Sequence, residues 1–542
     1  MKGRFWLSIV AAAVGAGLLV TAGFAGPAAK SPQAAGKGEA RGGTLRVDLR
    51  NDWDYIDPSL AYFSHSWQVE NAVHLKLMSF PDREGAAGSR MTPEAAAGFP
   101  KVSANGKVYT FTIKPGFRFS NGAPVTAANF KAAFTRALNP RMQSPASSFL
   151  DDVAGFRTIG KYQLQVTMKK VAPDFIARTS MPFFSAIPTN LGIVPEGVQA
   201  PLVSAGPYYI KEWVQKRSAL VVRNPFWNNA KAPWKSLGRP ANVNQITFII
   251  GNSLDATKLR LERGEVDLGA VPPAAASELA EKFGINKGRF FIRRQLVTWY
   301  LALNNSQPLF RGNTKLRQAV NHAIDRPQIV RQYGFLGGGR TDQMLPPGMP
   351  GYKDVNLYSL KGANVPRARA LAQGATRSGK ATLYTFNSAP GPAIAQVVQF
   401  NLRQIGIDVE IKTYDRVVQN AKSGTRGEAF DISVEGWGAD YADPYNFINV
   451  LLDGRRIQAS NNVNLSYFNE PAYNRKMEAA SRLFGAARLN AYAGLEADIM
   501  RNRAPVAPYI TTNAKILVSS NVGCYVYSTI GGSSNLAAVC LK

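Results

Sequence analysis

The 542-residue chain contains few of the residues on which catalysis and metal binding most often depend. It has two cysteines and three histidines, and the histidines, His65, His74 and His322, do not have the spacing of metal ligands. The chain has no His-Glu-x-x-His motif and no Gly-x-Ser-x-Gly elbow. Residues 374–380 come close to a phosphate loop, but Ala381 stands where a Mg²⁺-binding Ser or Thr is required. We therefore expect no catalytic residue, no metal and no cofactor.

Acidic residues are also scarce. The chain has 36 Asp and Glu against 64 Lys and Arg, which gives a formal net charge of +28. Nucleic acid, an anionic envelope surface or an acidic ligand could each complement such a charge. The basic residues are spread along the chain, and the densest groups are only pairs, Lys169-Lys170, Arg293-Arg294 and Arg455-Arg456. This spread is typical of a solvated surface, so we expect no nucleic-acid partner. The length and a hydrophobic content of 45% predict folded cores in roughly three units.

The N-terminus has the pattern of an export signal. Lys2 and Arg4 precede an apolar run at 5–24, and small residues follow it. We predict a signal peptide at 1–25 and a flexible leader at 26–43. An uncleaved anchor is the alternative, because the apolar run is long enough to span a bilayer. Either reading predicts a protein exported to the periplasm or to the outer face of the cell membrane.

The two cysteines, Cys524 and Cys540, both lie near the C-terminus. In an exported protein such a pair predicts a disulfide that closes a short loop, and two free thiols are the alternative. Neither cysteine lies near the predicted signal, so we expect no lipid anchor on a cysteine.

One stretch, residues 436–447, concentrates acidic and aromatic side chains. It follows an apolar run with the alternation of a buried strand, Phe430, Ile432 and Val434. It opens with two glycines around a tryptophan, Gly436, Trp437 and Gly438. The carboxylates of Asp440 and Asp443 follow, and a carboxylate framed by aromatic rings suits a ligand with an ammonium group. The alternative is an aspartate-rich turn that caps a helix starting near Pro444.

The sequence pattern predicts secondary structure most clearly around residue 110. Residues 107–114 alternate as a strand, and 117–119 predict a second short strand. Thr126 is a good N-cap for the helix that follows. Asn129 holds the N3 position, where an acid would complete a capping box, so we expect a weaker cap.

The later part of the chain predicts an α/β sheet. Strands at 381–386 and 407–411 flank a helix opened by Pro392, and 337–339 predict a flexible glycine loop. Ligands of such sheets bind beyond the carboxyl ends of the strands. This context favours a ligand-facing role for Asp440.

Five longer motifs resemble, in the same order, those of the family 5 extracellular solute-binding proteins, the dipeptide- and oligopeptide-binding components of ABC importers. They lie at 91–96, 109–127, 206–208, 223–227 and 316–326. The resemblance implies an α/β, two-lobed periplasmic-binding-protein fold of type II. It also implies the extra domain of the peptide-binding class and a ligand cleft between the lobes.

The resemblance divides the chain into three units. The expected segments are 44–76, 205–295 and 505–542 for lobe I, 77–204 for the extra domain, and 296–504 for lobe II. It implies a monomer that captures di- or oligopeptides between closing lobes and delivers them to a membrane permease. A non-peptide solute, such as a nickel chelate, a sugar or an opine, stays open as an alternative, as does a basic protein that binds the envelope surface.

The resemblance also implies site residues. In peptide-binding members an aspartate after a Gly-Trp pair binds the ligand's α-ammonium group, and that position is Asp440, with Trp437, Gly436 and Gly438 beside it. The segment after Asp57-Pro58 contributes ligand contacts in the family, and the residues there are Tyr62, Phe63 and Ser64. The second acid of the stretch, Asp443, is expected to cap the following helix.

This chain departs from the family pattern at one place. Peptide binders of the family often have a basic residue shortly before the Gly-Trp pair, which meets a carboxylate of the ligand. Here those places are Val434 and Glu435. The partner of the far end of the ligand is therefore left open.

Overall fold

A computed structural model of the protein describes residues 42–81, 85–227 and 239–542. The predicted signal peptide and all but the last two residues of the predicted leader lie outside the described residues. Across the described ranges, no helix combines the length and the hydropathy that a membrane span requires.

The elements alternate between strands and helices through most of the chain. The strands are β1 Thr44–Leu49, β2 Met78–Ser79, β3 Thr92–Pro93, β4 Lys101–Val102, β5 Val108–Thr112, β6 Val153–Ile159, β7 Gln163–Met168, β8 Tyr208–Val214, β9 Ser218–Arg223, β10 Gln245–Ile250, β11 Leu268–Ala270, β12 Phe290–Leu303, β13 Gly338–Arg340, β14 Lys380–Phe386, β15 Asp408–Tyr414, β16 Ile432–Gly438, β17 Val506–Val518, β18 Val522–Cys524, β19 Tyr527–Ser528, β20 Ser533–Ser534 and β21 Cys540–Leu541. The helices are α1 Ser64–Val73, α2 Gly85–Gly88, α3 Ala127–Ala137, α4 Phe175–Arg178, α5 Leu254–Arg263, α6 Ala276–Phe283, α7 Thr314–Ala323, α8 Arg326–Arg331, α9 Val365–Ala372, α10 Gly391–Arg403, α11 Arg416–Ser423, α12 Tyr445–Leu452, α13 Pro471–Ser481 and α14 Gly485–Asn502.

Two long antiparallel strands, β12 and β17, join the two lobes. The main sheet has the order β15-β14-β16-β12-β17-β11-β1-β10-β9-β8. The start of β12 pairs with the end of β17 beside β11, and the end of β12 pairs with the start of β17 beside β16. The register shifts between Arg294 and Thr298, midway along the pair. Such an irregularity bends and twists a strand locally, so the two halves of the sheet meet at a break in their ladder.

The lobe II half of the sheet contains the predicted strand-helix-strand unit, as β14, α10 and β15. Strand β14 pairs in parallel with both β15 and β16, so these three strands end at the same edge. Strand β16 runs to Gly438, which places the first residues of the 436–447 stretch in the sheet itself. Asp440 therefore follows the carboxyl end of a sheet strand, as the sequence predicts.

The extra domain is built on a four-stranded sheet, β4-β5-β7-β6, with α3 packed against it. The predicted strand at 107–114 and the helix after Thr126 are confirmed as β5 and α3. The predicted weak cap is wrong, because Asn129 Oδ1 accepts a hydrogen bond from the Thr126 N–H at 2.8 Å. An amide oxygen thus completes the box in place of the expected acid.

Two local predictions are corrected. Residues 117–119 form only an isolated bridge, between Arg118 and Pro124, although Phe117 and Phe119 are buried as a strand pattern requires. The predicted glycine loop at 337–339 overlaps β13, which pairs with β17. A Cβ atom on Gly338 would collide with the Thr511 carbonyl oxygen, so glycine here permits a close strand approach.

A buried ion pair fixes the extra domain to lobe I. Arg136, on α3, donates to both carboxylate oxygens of Asp57, at 2.5 and 2.7 Å, and to Ser59 Oγ at 2.7 Å. Asp57 is fully buried, and it also accepts from the Val198 N–H at 3.2 Å. The pair holds the loop that leads to Tyr62, because Asp57 lies only a few residues before that tyrosine.

We expect Arg136→Met to lower the free energy of unfolding by about 3–5 kcal/mol, because it leaves the Asp57 charge buried without a partner. Urea unfolding followed by circular dichroism measures the change. The matched control is Arg157→Met, whose side chain is exposed on β6 and bonds only Gln165, and which should change stability by about 0.5 kcal/mol or less. Equal losses in the two variants would contradict the assigned role of the Asp57–Arg136 pair.

Candidate functional site

Asp440 lies where the two lobes meet, and both of its carboxylate oxygens accept hydrogen bonds. Tyr62 Oη, from lobe I, donates to Asp440 Oδ1 at 3.0 Å, and Asn446 Nδ2 donates to Oδ2 at 2.8 Å. Asn446 Oδ1 in turn accepts from the Asp440 N–H at 3.0 Å and from Trp437 Nε1 at 3.3 Å. Asn446 thus orients both the carboxylate and the indole, and Tyr62 reaches the carboxylate from the other lobe.

The Asp440 carboxylate is enclosed without a counter-charge. Only 9% of the residue is exposed, and no Lys, Arg or His side chain of the described residues makes an ion pair with it. Burial raises the pKa of Asp440 to about 6, against the opposing effect of the hydrogen bonds from Asn446 and Tyr62. Burial and the nearby carboxylate also raise the pKa of Tyr62 well above its ordinary value. A cation beside Asp440 would relieve this cost.

Tyr62 is held in place by its own loop. Asp54 Oδ2 accepts from the backbone N–H groups of Tyr62, at 2.8 Å, and Phe63, at 3.1 Å. The Tyr62 ring packs against Trp67 and Phe183, with ring centroids 5.6 and 5.5 Å away. The hydroxyl therefore points at Asp440 from a fixed base.

Two cavities adjoin this group. A small one, of about 60 Å³, includes Asp440 and is lined mainly by α1 and the segment from Ser528 to Leu536. A large one, of about 610 Å³, lies between the extra domain and lobe II and reaches Tyr62 and Trp437. Its walls are aromatic and polar, with Phe149, Asp151, Asp152, Lys170, Arg178, Tyr441, Tyr445, Arg456, Gln458 and Asn461 among them.

The structure brings some of the predicted site residues together and leaves others apart. Asp440, Trp437 and Tyr62 form one hydrogen-bonded group with Asn446. Phe63 is 55% exposed at the start of α1, and Phe63 and Ser64 line neither cavity.

The two predicted glycines lie in β16. A Cβ atom on Gly436 would lie 2.7 Å from the Trp299 indole, so glycine is required for the close packing of β16 on β12. Gly438 pairs with Val297, next to the register break of β12.

Glu435, at one of the two places where the family pattern predicts a basic residue, is bound within lobe II. It is buried, accepts from Ser433 Oγ at 2.5 Å and pairs with Arg416 Nη2 at 3.2 Å. Its charge is therefore used within lobe II, and it does not line either cavity.

Asp443 has a different role from Asp440. It accepts from the Tyr445 N–H at 2.8 Å, at the start of α12, as the predicted cap requires. It also accepts from Arg488 Nη2 at 2.7 Å and Nε at 3.0 Å, a buried pair that no short motif in the sequence indicates.

A buried ion network connects the extra domain with lobe II beside the large cavity. Arg178 pairs with Asp152 at 2.7 Å and with Asp174 at 2.8 Å, all within the extra domain. From lobe II, Tyr441 Oη donates to Asp174 Oδ2 at 3.2 Å, and Arg488 Nη2 lies 3.9 Å from Asp174 Oδ1. Burial disfavours the Asp174 carboxylate, but Arg178 and Arg488 lower its pKa below the ordinary value. The extra domain thus contacts lobe II through ionic interactions as well as through packing.

The C-terminal segment also reaches the site. Cys524 and Cys540 are joined by a disulfide, and the loop that they close contains the short hairpin β19–β20. Ser534 O accepts from Gln68 Nε2, on α1, at 3.1 Å. Ile530, at the tip of the hairpin, packs against the lobe II core.

Nothing in the described residues is arranged to hold a metal, since no group of three or more His, Cys, Asp or Glu side chains is suitably placed.

Comparisons with known proteins agree with this architecture. Residues 90–459, more than half of the chain, match the model of the bacterial extracellular solute-binding proteins, family 5 Middle. The periplasmic oligopeptide-binding protein OppA of Escherichia coli is 25% identical over 450 residues, which cover 77% of this chain and 79% of OppA. The oligopeptide-binding protein OppA of Bacillus subtilis is 26% identical over 477 residues, which cover 80% of this chain and 82% of that protein.

Solved structures show the same fold. Clavulanic acid biosynthesis oligopeptide binding protein 2 superposes with a TM-score of 0.84 at 23% identity, over 93% of this chain and 96% of that one. The periplasmic binding protein DppA of Helicobacter pylori, in complex with the peptide STSA, gives a TM-score of 0.75 at 22% identity, over 93% of this chain and 99% of that one. The fold is thus the two-lobed fold of periplasmic binding proteins. The chain belongs to the bacterial extracellular solute-binding proteins of family 5.

Asn446 and Arg488 are the site residues that the sequence does not reveal. Asn446 lies inside the 436–447 stretch, but its contact with Asp440 depends on the turn between β16 and α12. Arg488 lies 45 residues after Asp443, and only the packing of α14 brings the two together.

The raised pKa of Asp440 predicts how pH affects closure of the protein without ligand. Between pH 3.8 and about 6, the enclosed carboxyl keeps a proton that an exposed one has lost. The closed arrangement is therefore favoured at low pH and loses stability as pH rises through this window. We expect the closed fraction, measured by fluorescence transfer between labels on the two lobes, to fall from pH 4 to 7.

Asp440→Asn should remove most of that dependence, because an amide does not titrate. Glu496, a buried lobe II residue whose pKa burial raises to about 7, is the same in both proteins and contributes equally to each profile. Identical profiles for the two proteins would show that Asp440 is not the group that controls closure.

Proposed function

We propose that this protein is the extracytoplasmic substrate-binding component of an ABC importer and that it captures peptides with a free amino terminus. The observation that carries the proposal is the enclosed carboxylate of Asp440, which lies at the meeting of the lobes without a cationic partner among the described residues. An α-ammonium group would supply that partner and several hydrogen-bond donors at once.

The large cavity supports a ligand of peptide size. Its volume of about 610 Å³ falls within the range of small-molecule sites, roughly 300–1,000 Å³. Its walls combine aromatic faces with polar groups, and water between them would tolerate varied side chains. The names of the relatives, which include oligopeptide-binding proteins from two bacteria, point to the same class of ligand.

Among the described residues, one edge of β16 has no partner strand after Ser433. Strand β14 pairs with β16 only at Ile432 and Ser433, whereas β12 covers the other edge as far as Gly438. An extended peptide could therefore add to the sheet beside 436–438 by main-chain hydrogen bonds. In this arrangement Trp437, Gly436 and Gly438 contact the peptide backbone and Asp440 binds its first residue. Tyr62, Phe63 and Ser64 approach the peptide from lobe I.

Binding would be coupled to closure by charge. The closed lobes enclose Asp440 at a cost that an ammonium ligand removes, so the ligand shifts the population toward the closed form. The permease then distinguishes the loaded protein by its shape. Nothing in this sequence of events requires bond making, and we expect the protein to act as an exported monomer with no enzymatic activity, no cofactor and no nucleic-acid partner.

Asp440→Ala should weaken binding of peptides with a free amino terminus by about a hundredfold or more, because a buried ammonium would lose its partner. Calorimetry with alanine peptides of three to five residues measures this. The N-acetylated forms should bind the unaltered protein weakly and should be little affected by the substitution.

The matched control is Asp408→Ala, which removes an exposed carboxylate of the same lobe and should leave the affinity unchanged. Unchanged affinity in Asp440→Ala would show that the ammonium group binds elsewhere. Mass spectrometry of the peptides after incubation should return them intact, and cleavage products would contradict the proposal of a non-enzymatic receptor.

A further inference from the structure

A C-terminal loop, residues 524–540, extends from lobe I to lobe II beside Asp440. Its ends are joined by the Cys524–Cys540 disulfide, and the same two residues pair between strands β18 and β21. Between these ends lies the hairpin β19–β20, whose turn contains Ile530. The proposed function assigns no role to this loop.

The body of the C-terminal loop is attached to lobe I. Ser534 O accepts a hydrogen bond from Gln68 Nε2, on α1, at 3.1 Å. The ring of Tyr525 stacks on Phe291, in the lobe I half of β12, with the ring centroids 4.8 Å apart. Because both partners belong to lobe I, the body of the loop moves with that lobe.

The tip of the C-terminal loop lies on the other lobe. Ile530 packs against an apolar cluster whose buried members lie between Leu296 and Val506, on the lobe II side. Leu296 itself lies inside the register break of β12, where the two halves of the main sheet meet. A contact that spans this break is kept only while the lobes hold their present arrangement.

The C-terminal loop also encloses the small cavity beside Asp440. Ser528, Ile530 and Ser534 line this cavity, whose volume is about 60 Å³, and Trp67 of α1 lines it as well. The space has room for only a few water molecules. Enclosure of the Asp440 carboxylate therefore depends in part on where the loop lies.

The position of the hairpin depends on how its ends are held. Strands β19 and β20 form only two residue pairs, and an isolated hairpin is marginally stable at best in water. The disulfide joins the two ends across a sequence separation of 16, which restricts the conformations of the chain between them. Cys524 is partly exposed, so a dissolved dithiol has access to the bond.

We infer that the C-terminal loop is a strap between the lobes, held on lobe I by its disulfide and on lobe II by Ile530. It favours the arrangement in which Asp440 is enclosed. This inference rests on the proposed function, in which that arrangement retains the peptide. Loss of either attachment shifts the population toward separated lobes, and the apparent affinity for every ligand falls with the population that can bind it.

The first test breaks the disulfide in the intact protein. Dithiothreitol transfers two electrons and two protons to the bond, which becomes two thiols while the reagent forms its own cyclic disulfide. Alkylation of a sample followed by mass spectrometry counts the thiols. Fluorescence transfer between labels on non-natural residues, one in each lobe, measures the fraction of molecules with the lobes together.

We expect reduction to lower this fraction and to weaken the binding of alanine peptides by about threefold to tenfold. The control is the double variant Cys524→Ser, Cys540→Ser. It should behave like the reduced protein before any treatment, and dithiothreitol should not change it further. A response of the double variant to the reagent would show that the effect does not come from this bond, and would overturn the role of the disulfide.

The second test, Ile530→Ser, removes the attachment on lobe II and leaves the disulfide in place. Because an apolar contact between the lobes is lost, we expect fewer molecules with the lobes together and an affinity lower by about tenfold. The matched control is Ile159→Ser, which makes the same change at an exposed site on β6 and should alter neither quantity. Circular dichroism establishes that each variant is folded.

The outcomes separate the strap from the proposal on which it rests. An unchanged fraction with the lobes together, in the reduced protein or in Ile530→Ser, overturns the strap. A loss of affinity confined to peptides with a free amino terminus also overturns it, because acetylated peptides need the same arrangement of the lobes. The fluorescence measurement needs no peptide. It therefore decides the strap even if no peptide binds, a result that would contradict the proposed function alone.

Discussion

The candidate site is built around a carboxylate that two lobes enclose without neutralising it. Asp440 contributes nothing favourable by being buried, and only two hydrogen bonds, from Tyr62 and Asn446, offset its loss of water. The surrounding structure makes this possible. Asp54 fixes the backbone of Tyr62, the Asp57–Arg136 pair anchors the loop before it, and Gly436 lets β16 lie close against Trp299. Burying this carboxylate costs free energy when no ligand is bound, and a cationic ligand removes that cost. Ligand binding is therefore coupled to the arrangement of the lobes, as a transport receptor of the proposed kind requires.

A second contact between domains has the opposite electrostatic character. The network sets two cations, Arg178 and Arg488, against three carboxylates, those of Asp152, Asp174 and Asp443, and it is internally hydrogen bonded. Tyr441 packs its ring among the buried residues of the extra domain. Such a network stabilises a defined arrangement if its geometry is retained and is strongly destabilising if one partner is removed. The extra domain and lobe II are thus joined by charged contacts as well as by apolar ones. The large cavity lies between these two parts of the molecule and reaches Tyr62, which donates to the enclosed carboxylate.

Much of the fold could be predicted because local patterns and global structure agree. The strand at 107–114, the helix after Thr126 and the unit from β14 to β15 follow from alternation, caps and breakers, and the family motifs supply the two-lobed arrangement. The residues of the site were harder to predict from the sequence. Asp440 and Trp437 share a short motif, whereas Asn446 and Arg488 reach their partners only through tertiary packing. The strand β13 was missed for a similar reason, because the glycines that permit its close approach to β17 have the composition of a loop.

Strand β17 has a further consequence for how the molecule is assembled. It lies between β12 and β11 in the sheet, and its two halves belong to the two different ends of that sheet. It begins at Val506, so 505 residues precede it in the sequence. A chain made from its N-terminus therefore has neither half of the main sheet complete until this strand arrives. Folding of the two lobes therefore finishes in one late, shared step. Such a step favours slow folding and leaves unpaired sheet edges exposed to other molecules, chaperones included, for a long time.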